Sequence, residues 1–134
     1  MKKQKDKMKI LIVDDNEKDL KLLESMLFQL GFEDTVKSRH GMEALELVKT
    51  QHPNLIFLDI IMPGIDGGAV KEALKEKPET KDIPTIFLSS IISKEEEKRI
   101  GRLAGGEIIL AKPYSSEELQ KVRDKALESV NGER

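Results

Sequence analysis

The stretch NLIFLDIIMPGIDG, residues 54–67, decides how the rest of the chain is read. Its first five residues, Asn54 to Leu58, read as a strand covered on both faces. Asp59 follows at once, then more apolar residues, then Pro63, Gly64 and Gly67. A lone carboxylate at the exit of such a strand can be a helix cap, a metal ligand or a nucleophile. The flanking sequence has to decide among these.

Three other apolar runs share the character of LIFL (55–58): KILIV (9–13), TIFL (85–88) and EIIL (107–110). They are nearly continuous rather than alternating, as in a parallel sheet buried on both sides. A weaker run, EDTVKS (33–38), has little apolar content beyond Val36 and reads as an edge strand. Helical patterns lie between the runs. Leu20, Leu23, Leu27 and Leu30 share one face of a helix over 17–30 that Gly31 stops. A shorter helix over 41–50 turns Ala44, Leu45 and Val48 inward, and another over about 67–76 ends before Pro78. Ser93 with Glu96 and Ser115 with Glu118 have capping-box spacing. They open helices that bury Ile100, Leu103 and Ala104, and Leu119, Val122, Ala126 and Val130. Asp66 reads as a turn residue and helix cap, and Gly105–Gly106 as a helix end. The order is strand then helix, five times over. It predicts a single α/β domain, a doubly wound (βα)5 fold with a five-stranded parallel sheet and helices on both faces.

Composition agrees and excludes several classes. A chain of 134 residues suits one domain, with 38% hydrophobic residues for a core and 36% charged residues for a surface. A net charge of −2 gives no field directed at nucleic acid or an anionic membrane. With no cysteine, disulfides, thiolate catalysis and cysteine–zinc sites are excluded. No apolar run approaches the roughly 20 residues that span a bilayer. The five lysines of MKKQKDKMK precede no signal-like apolar segment, so residues 1–7 read as a flexible basic tail and residues 8–131 as the domain. A cytoplasmic protein is expected.

In doubly wound sheets, ligands bind beyond the carboxyl ends of the strands. Asp14 and Asp15 follow the first strand, and Ser38, Arg39 and His40 the second. Asp59 follows the third, Ser89 and Ser90 the fourth, and Ala111, Lys112 and Pro113 the fifth. Each alone is weak: an Asp before a helix is often a cap, and a strand-end Lys is usually solvated. Together, from separate strand ends, they place three carboxylates, a hydroxyl and an ammonium on one rim. Clustered carboxylates repel, and a divalent cation relieves them. All-oxygen ligation by a few carboxylates suits Mg²⁺, with Mn²⁺ as an alternative. Lys112 offers a point charge to a phosphoryl oxygen and Ser89 a hydrogen bond. The set describes a phosphoryl-transfer site in which Asp59, between the metal side and the lysine side, is the nucleophile. Neither His40 nor His52 has a second ligand at metal spacing.

The elements ILIVDDNE, LIFLDIIMPGIDG, PTIFLSS and LAKPY, in this order, resemble a response-regulator receiver domain of the CheY-like type over about residues 8–130. The resemblance implies the flavodoxin-like strand order 2-1-3-4-5. It implies that Asp59 accepts a phosphoryl group from a histidine kinase or histidine phosphotransfer protein. Asp15, Asp59 and the main-chain carbonyl of Ile61 then bind Mg²⁺ directly, and Asp14 acts through a metal-bound water. Ser89 and Lys112 pair with the phosphoryl group, and the Lys112–Pro113 bond is cis. Such a protein is a signalling phosphoacceptor, not a turnover enzyme. Its surface around Asn16–Leu27 selects the kinase, and its output is a downstream protein target or a C-terminal effector domain beyond NGER. A haloacid-dehalogenase-like phosphatase needs Asp-x-Asp after its first strand, whereas here the acids are adjacent. A pseudo-receiver, binding partners without phosphorylation, is the other alternative.

Three positions depart from the pattern. Many receivers carry Tyr or Phe three residues before the lysine, and its ring moves inward as the hydroxyl residue approaches the phosphoryl group. Ile109 stands there in this chain. Ile61 and Ile91 lie two residues beyond Asp59 and Ser89, where the resemblance puts side chains along the path of attacking water. Aliphatic groups cannot orient that water, so a long-lived phosphorylated form is expected. Ile61→Asn and Ile91→Glu should each change the hydrolysis rate severalfold, followed as loss of the phosphorylated protein. Unchanged lifetimes in both variants would reject this reading.

Overall fold

Neighbouring residues of an extended strand point to opposite faces of its sheet, so an unbroken apolar run must be covered twice. The computed structural model describes residues 8–90, 95 and 108–131, with side chains through Glu128, and its sheet meets that requirement. Strands β1 (Lys9–Val13), β2 (Asp34–Ser38), β3 (Leu55–Asp59), β4 (Thr85–Ser90) and β5 (Ile108–Lys112) pair in parallel. Their order is β2-β1-β3-β4-β5. Helices α1 (Glu17–Gln29), α2 (Gly41–Gln51), α3 (Gly67–Lys75) and α4 (Ser116–Asn131) cover the two faces.

The core divides accordingly. Ile10 and Ile12 of β1, Leu55 and Phe57 of β3, and Ile86 and Leu88 of β4 pack under α1 and α4. There they meet Leu20, Leu23 and Leu27 from α1 and Leu119 and Ala126 from α4. Leu11, Val13, Ile56, Leu58 and Phe87 face the other way, onto Ala44 and Val48 of α2 and Val70 and Leu74 of α3. Each such large side chain contributes roughly 1.5–3 kcal/mol by leaving water. Three strands run one or two residues beyond the apolar runs. Asp59 pairs with Leu88, and Ser90 with Lys112, so these polar residues are held in the ladder and not in the loops after it.

Local signals explain the helix ends. Asn16 caps α1, its Oδ1 accepting from the Asp19 amide at 3.0 Å. At the other end Phe32 N–H donates to Leu27 O and Gly31 N–H to Phe28 O, with Gly31 at φ 100°. This is the paired bonding of a glycine-terminated helix, one residue shorter than the periodicity suggests. Asp66 caps α3 through the Ala69 amide at 2.9 Å. Ser115 and Glu118 form the reciprocal capping box expected before α4, at 2.9 and 3.1 Å. His52 closes α2 in the left-handed region at φ 50°, and the Lys112–Pro113 bond is cis. Leu119 and Ala126 are buried, whereas the Val130 side chain lies outside the described residues. So do the 1–7 tail, Ile91, the helix read from Ser93 to Ala104 and the Gly105–Gly106 turn.

Gly67 ties the loop after β3 to α3. Its N–H donates to Ile60 O at 2.9 Å, and a Cβ there would collide with the main chain of Asp59 and Ile60. The glycine of GIDG is therefore needed for close approach to the backbone that carries Asp59. Gly67→Ala should lower stability by about 1–3 kcal/mol, measured as a shift in the urea midpoint. An unchanged midpoint would show that this contact yields without strain.

Candidate functional site

Parity along the strands explains which polar groups meet. Asp14 continues the alternation of Ile10 and Ile12, Asp59 that of Leu55 and Phe57, and Lys112 that of Leu110, all on the face covered by α1 and α4. The Lys112 ammonium accordingly lies 2.6 Å from Asp14 Oδ2 and 3.8 Å from Asp59 Oδ2. The first contact is a charge-assisted hydrogen bond; the second is an ion pair beyond hydrogen-bond length. A carboxylate oxygen from each of Asp14, Asp15 and Asp59 lies within 4.8 Å of the others. Asp14 and Asp59 are buried and Asp15 half-buried. This all-oxygen set fits a hard divalent cation, whose charge would offset the repulsion.

Ser89 is fully buried, and its Oγ has no hydrogen-bond partner among the described residues. A buried hydroxyl without a partner costs about 1–3 kcal/mol, and this one sits one position beyond Leu88, the ladder partner of Asp59. Ile61 donates its N–H to Asp59 Oδ1 at 3.3 Å and exposes 47% of its surface, so an aliphatic side chain stands open at the mouth of the site.

Two contributors were not legible as site residues. Arg39, noted only as following the second strand, donates from Nε and Nη2 to the main-chain oxygen of Asp15, both at 3.2 Å, and so braces that acid's backbone. Asp19, on the first turn of α1, accepts from Lys112 at 2.9 Å. Arg39 and Asp15 are 24 positions apart and Asp19 and Lys112 are 93 apart. No local pattern signals either pair; only the shared rim of the sheet could have suggested them.

The electrostatics follow from this packing. Burial, then the charge of Asp14, pushes Asp59 up to about 7 in the metal-free protein, while Lys112 pulls the other way. Burial opposes the charge on Lys112. Hydrogen bonds to Asp14 and Asp19 and the charge of Asp59 outweigh it, so its pKa is raised. Burial also pushes the neighbouring Tyr114 hydroxyl up to about 12, opposed by Lys112 and reinforced by Asp14 and Asp19.

Residues 10–123 match the response regulator receiver domain family, and the chain belongs to it. It is 39% identical over 106 residues to the polar-differentiation response regulator DivK of Brucella ovis, covering 79% of this chain and 85% of that protein. Its fold is similar to the signal receiver domain of a signal transduction histidine kinase from Syntrophus aciditrophicus, with a TM-score of 0.80, 29% identity and 92% of each chain covered. It is also similar to the Vibrio cholerae chemotaxis protein CheY4, with a TM-score of 0.77, 26% identity, and 89% of this chain and 98% of that one covered. The chain is thus a response regulator receiver domain of two-component signalling. This family is a signalling module whose members interact with kinases or downstream targets and bind Mg²⁺ through acidic residues. No helix among the described residues is long and apolar enough to cross a membrane.

The raised Asp59 pKa makes stability pH-dependent. Between the ordinary carboxylate value of 3.8 and about 7, the folded chain holds a proton that the unfolded chain has released. Raising the pH through this window therefore removes stability. Asp59→Asn carries no such charge. In chelator, its gain in Tm over the wild type should be several degrees larger at about pH 8 than at about pH 5. Equal gains at both pH values would contradict the burial argument.

Proposed function

We propose that the chain is a phosphoacceptor: Asp59 takes a phosphoryl group from a phosphohistidine and, so modified, changes which partner the domain binds. The observation that carries this is the convergence of Asp14, Asp15 and Asp59 with the Lys112 ammonium. Ser89, one position beyond the ladder partner of Asp59, adds a buried hydroxyl with no hydrogen-bond partner among the described residues. Asp14, Asp15, Asp59 and the main-chain carbonyl of Ile61 would hold Mg²⁺, or Mn²⁺ in its place. The cation supplies positive charge to the crowded carboxylates and to the transferring phosphoryl oxygens.

An oxygen of the Asp59 carboxylate forms the new bond to phosphorus. The phosphorus–nitrogen bond to the donor imidazole breaks, and its electron pair stays on that nitrogen. Holding Asp59 in the β3 ladder aims the nucleophile and removes motion that a loop would allow. Lys112 and Ser89 donate to phosphoryl oxygens, stabilising charge where it concentrates during transfer. Attack of water on phosphorus then returns the carboxylate and releases inorganic phosphate. The cycle is self-modification and reset, without turnover of a separate substrate.

The donor is a histidine kinase or histidine phosphotransfer protein, and the output is a downstream protein or a joined effector domain. The receiver spans residues 8–131, behind a basic tail at 1–7, and works in the cytoplasm. Resemblance to the response regulator DivK over most of both chains supports the receiver reading. Incubation with acetyl phosphate and Mg²⁺ should add one phosphoryl group by intact mass, and Asp59→Ala or chelator should abolish it. Equal labelling of Asp59→Ala would overturn the assignment.

A further inference from the structure

An ammonium has three N–H donors, and in this site Lys112 spends two of them toward β1 and α1. One goes to Asp14 Oδ2 at 2.6 Å and one to Asp19 Oδ2 at 2.9 Å, while Asp59 Oδ2 is left at 3.8 Å. Asp19 is not needed to cap its helix, because Asn16 performs that task. Asn16 also joins the two carboxylates that grip the lysine. Its N–H donates to Asp14 Oδ1 at 3.0 Å, and its Oδ1 accepts from the Asp19 amide at 3.0 Å. The Asp14-Asp15-Asn16 turn thus sets the backbone from which Asp19 reaches across the chain. A first-turn acid that served only the helix dipole would point to water. Asp19 instead meets a lysine whose side chain is 15% exposed.

We propose that Asp19 is a positioning residue of the phosphoacceptor site, holding the Lys112 ammonium toward α1 and competing for it with the phosphoryl oxygens that arrive on Asp59. The proposal rests on the phosphoacceptor reading above. Where Asp14 shares its charge with a bound cation, Asp19 is the carboxylate that still holds the lysine. Phosphorylation then requires Lys112 to reorient from α1 toward Asp59, so Asp19 sets how readily the site accepts a phosphoryl group. Only interactions stronger in the transition state than in the starting state accelerate a step. Uptake begins with no phosphoryl group beside Lys112, so freeing the lysine accelerates it. Hydrolysis begins with the group already paired, so the freed lysine stabilises both its starting and transition states and changes its rate little.

Asp19→Asn keeps the shape and removes the charge. With Mg²⁺ present, it should raise the rate of phosphorylation by acetyl phosphate about threefold to fivefold and tighten binding of beryllofluoride by a similar factor. Loss of the phosphoryl group should change less than about twofold. Asp19→Ala should behave like Asp19→Asn, while Asp19→Glu, which keeps the charge, should stay near the wild type. The side chain is 39% exposed, so all three variants are expected to fold, checked by Tm. Uptake and beryllofluoride affinity unchanged or reduced in both Asp19→Asn and Asp19→Ala would overturn the proposal while leaving the phosphoacceptor reading intact. A wild-type protein that takes up no phosphoryl group would overturn that reading itself.

Discussion

The alternation of side chains along a buried parallel strand is the constraint on which the rest of this structure depends. Because β1 and β3 must supply apolar side chains to both faces, every position from Ile10 to Val13 and from Leu55 to Leu58 is taken by the core. Polar groups can then enter only where the strands end and helix cover stops. The same alternation sorts them: Asp14, Asp59 and Lys112 fall on the α1–α4 face, in line with Ile12, Phe57 and Leu110. Packing that stabilises the domain thereby brings two carboxylates and an ammonium together, with no loop required to find them.

The arrangement is electrostatically tense. Burial and Asp14 together raise the Asp59 pKa, and Lys112 relieves only part of that. Removing one member of such a cluster differs from removing all of it, because a buried charge left alone costs more than the pair contributes. The surrounding fold absorbs the tension through rigid supports. Gly67 brings α3 against the Asp59 backbone, Arg39 braces Asp15, and Asn16 orders the turn between Asp14 and α1. These contacts preorganise the acids before any ligand arrives.

The same supports connect the site to the surface. The first turn of α1 carries Asp19 inward to Lys112, while the helix exposes Leu22 and Phe28 further along. Lys112 is thus bonded directly to an element with a solvent-facing side. Ile109, at the position where many receivers carry an aromatic ring, is half-buried against the α2–α3 core.

Much of this was written in the sequence, because the signals are local. Apolar runs specify buried strands, Gly31 and the Ser115–Glu118 pair specify helix ends, and the acids, Ser89 and Lys112 stand at strand ends. Each depends on neighbours within one or two turns of chain. The sequence could not show how far the strands run, since ladder pairing carries Asp59, Ser89 and Lys112 inside them. Nor could it distinguish Asp19 from the other acids of α1, or Arg39 from any surface arginine. Their partners lie across the fold, and a contact of 93 residues' separation exists only after the crossovers have laid α1 over the face of the sheet on which Lys112 of β5 lies. Sequence alone determined the elements and the chemical groups at their ends; tertiary packing decided which of those groups touch, because charge pairs act over a few ångströms and only the folded sheet sets distances on that scale.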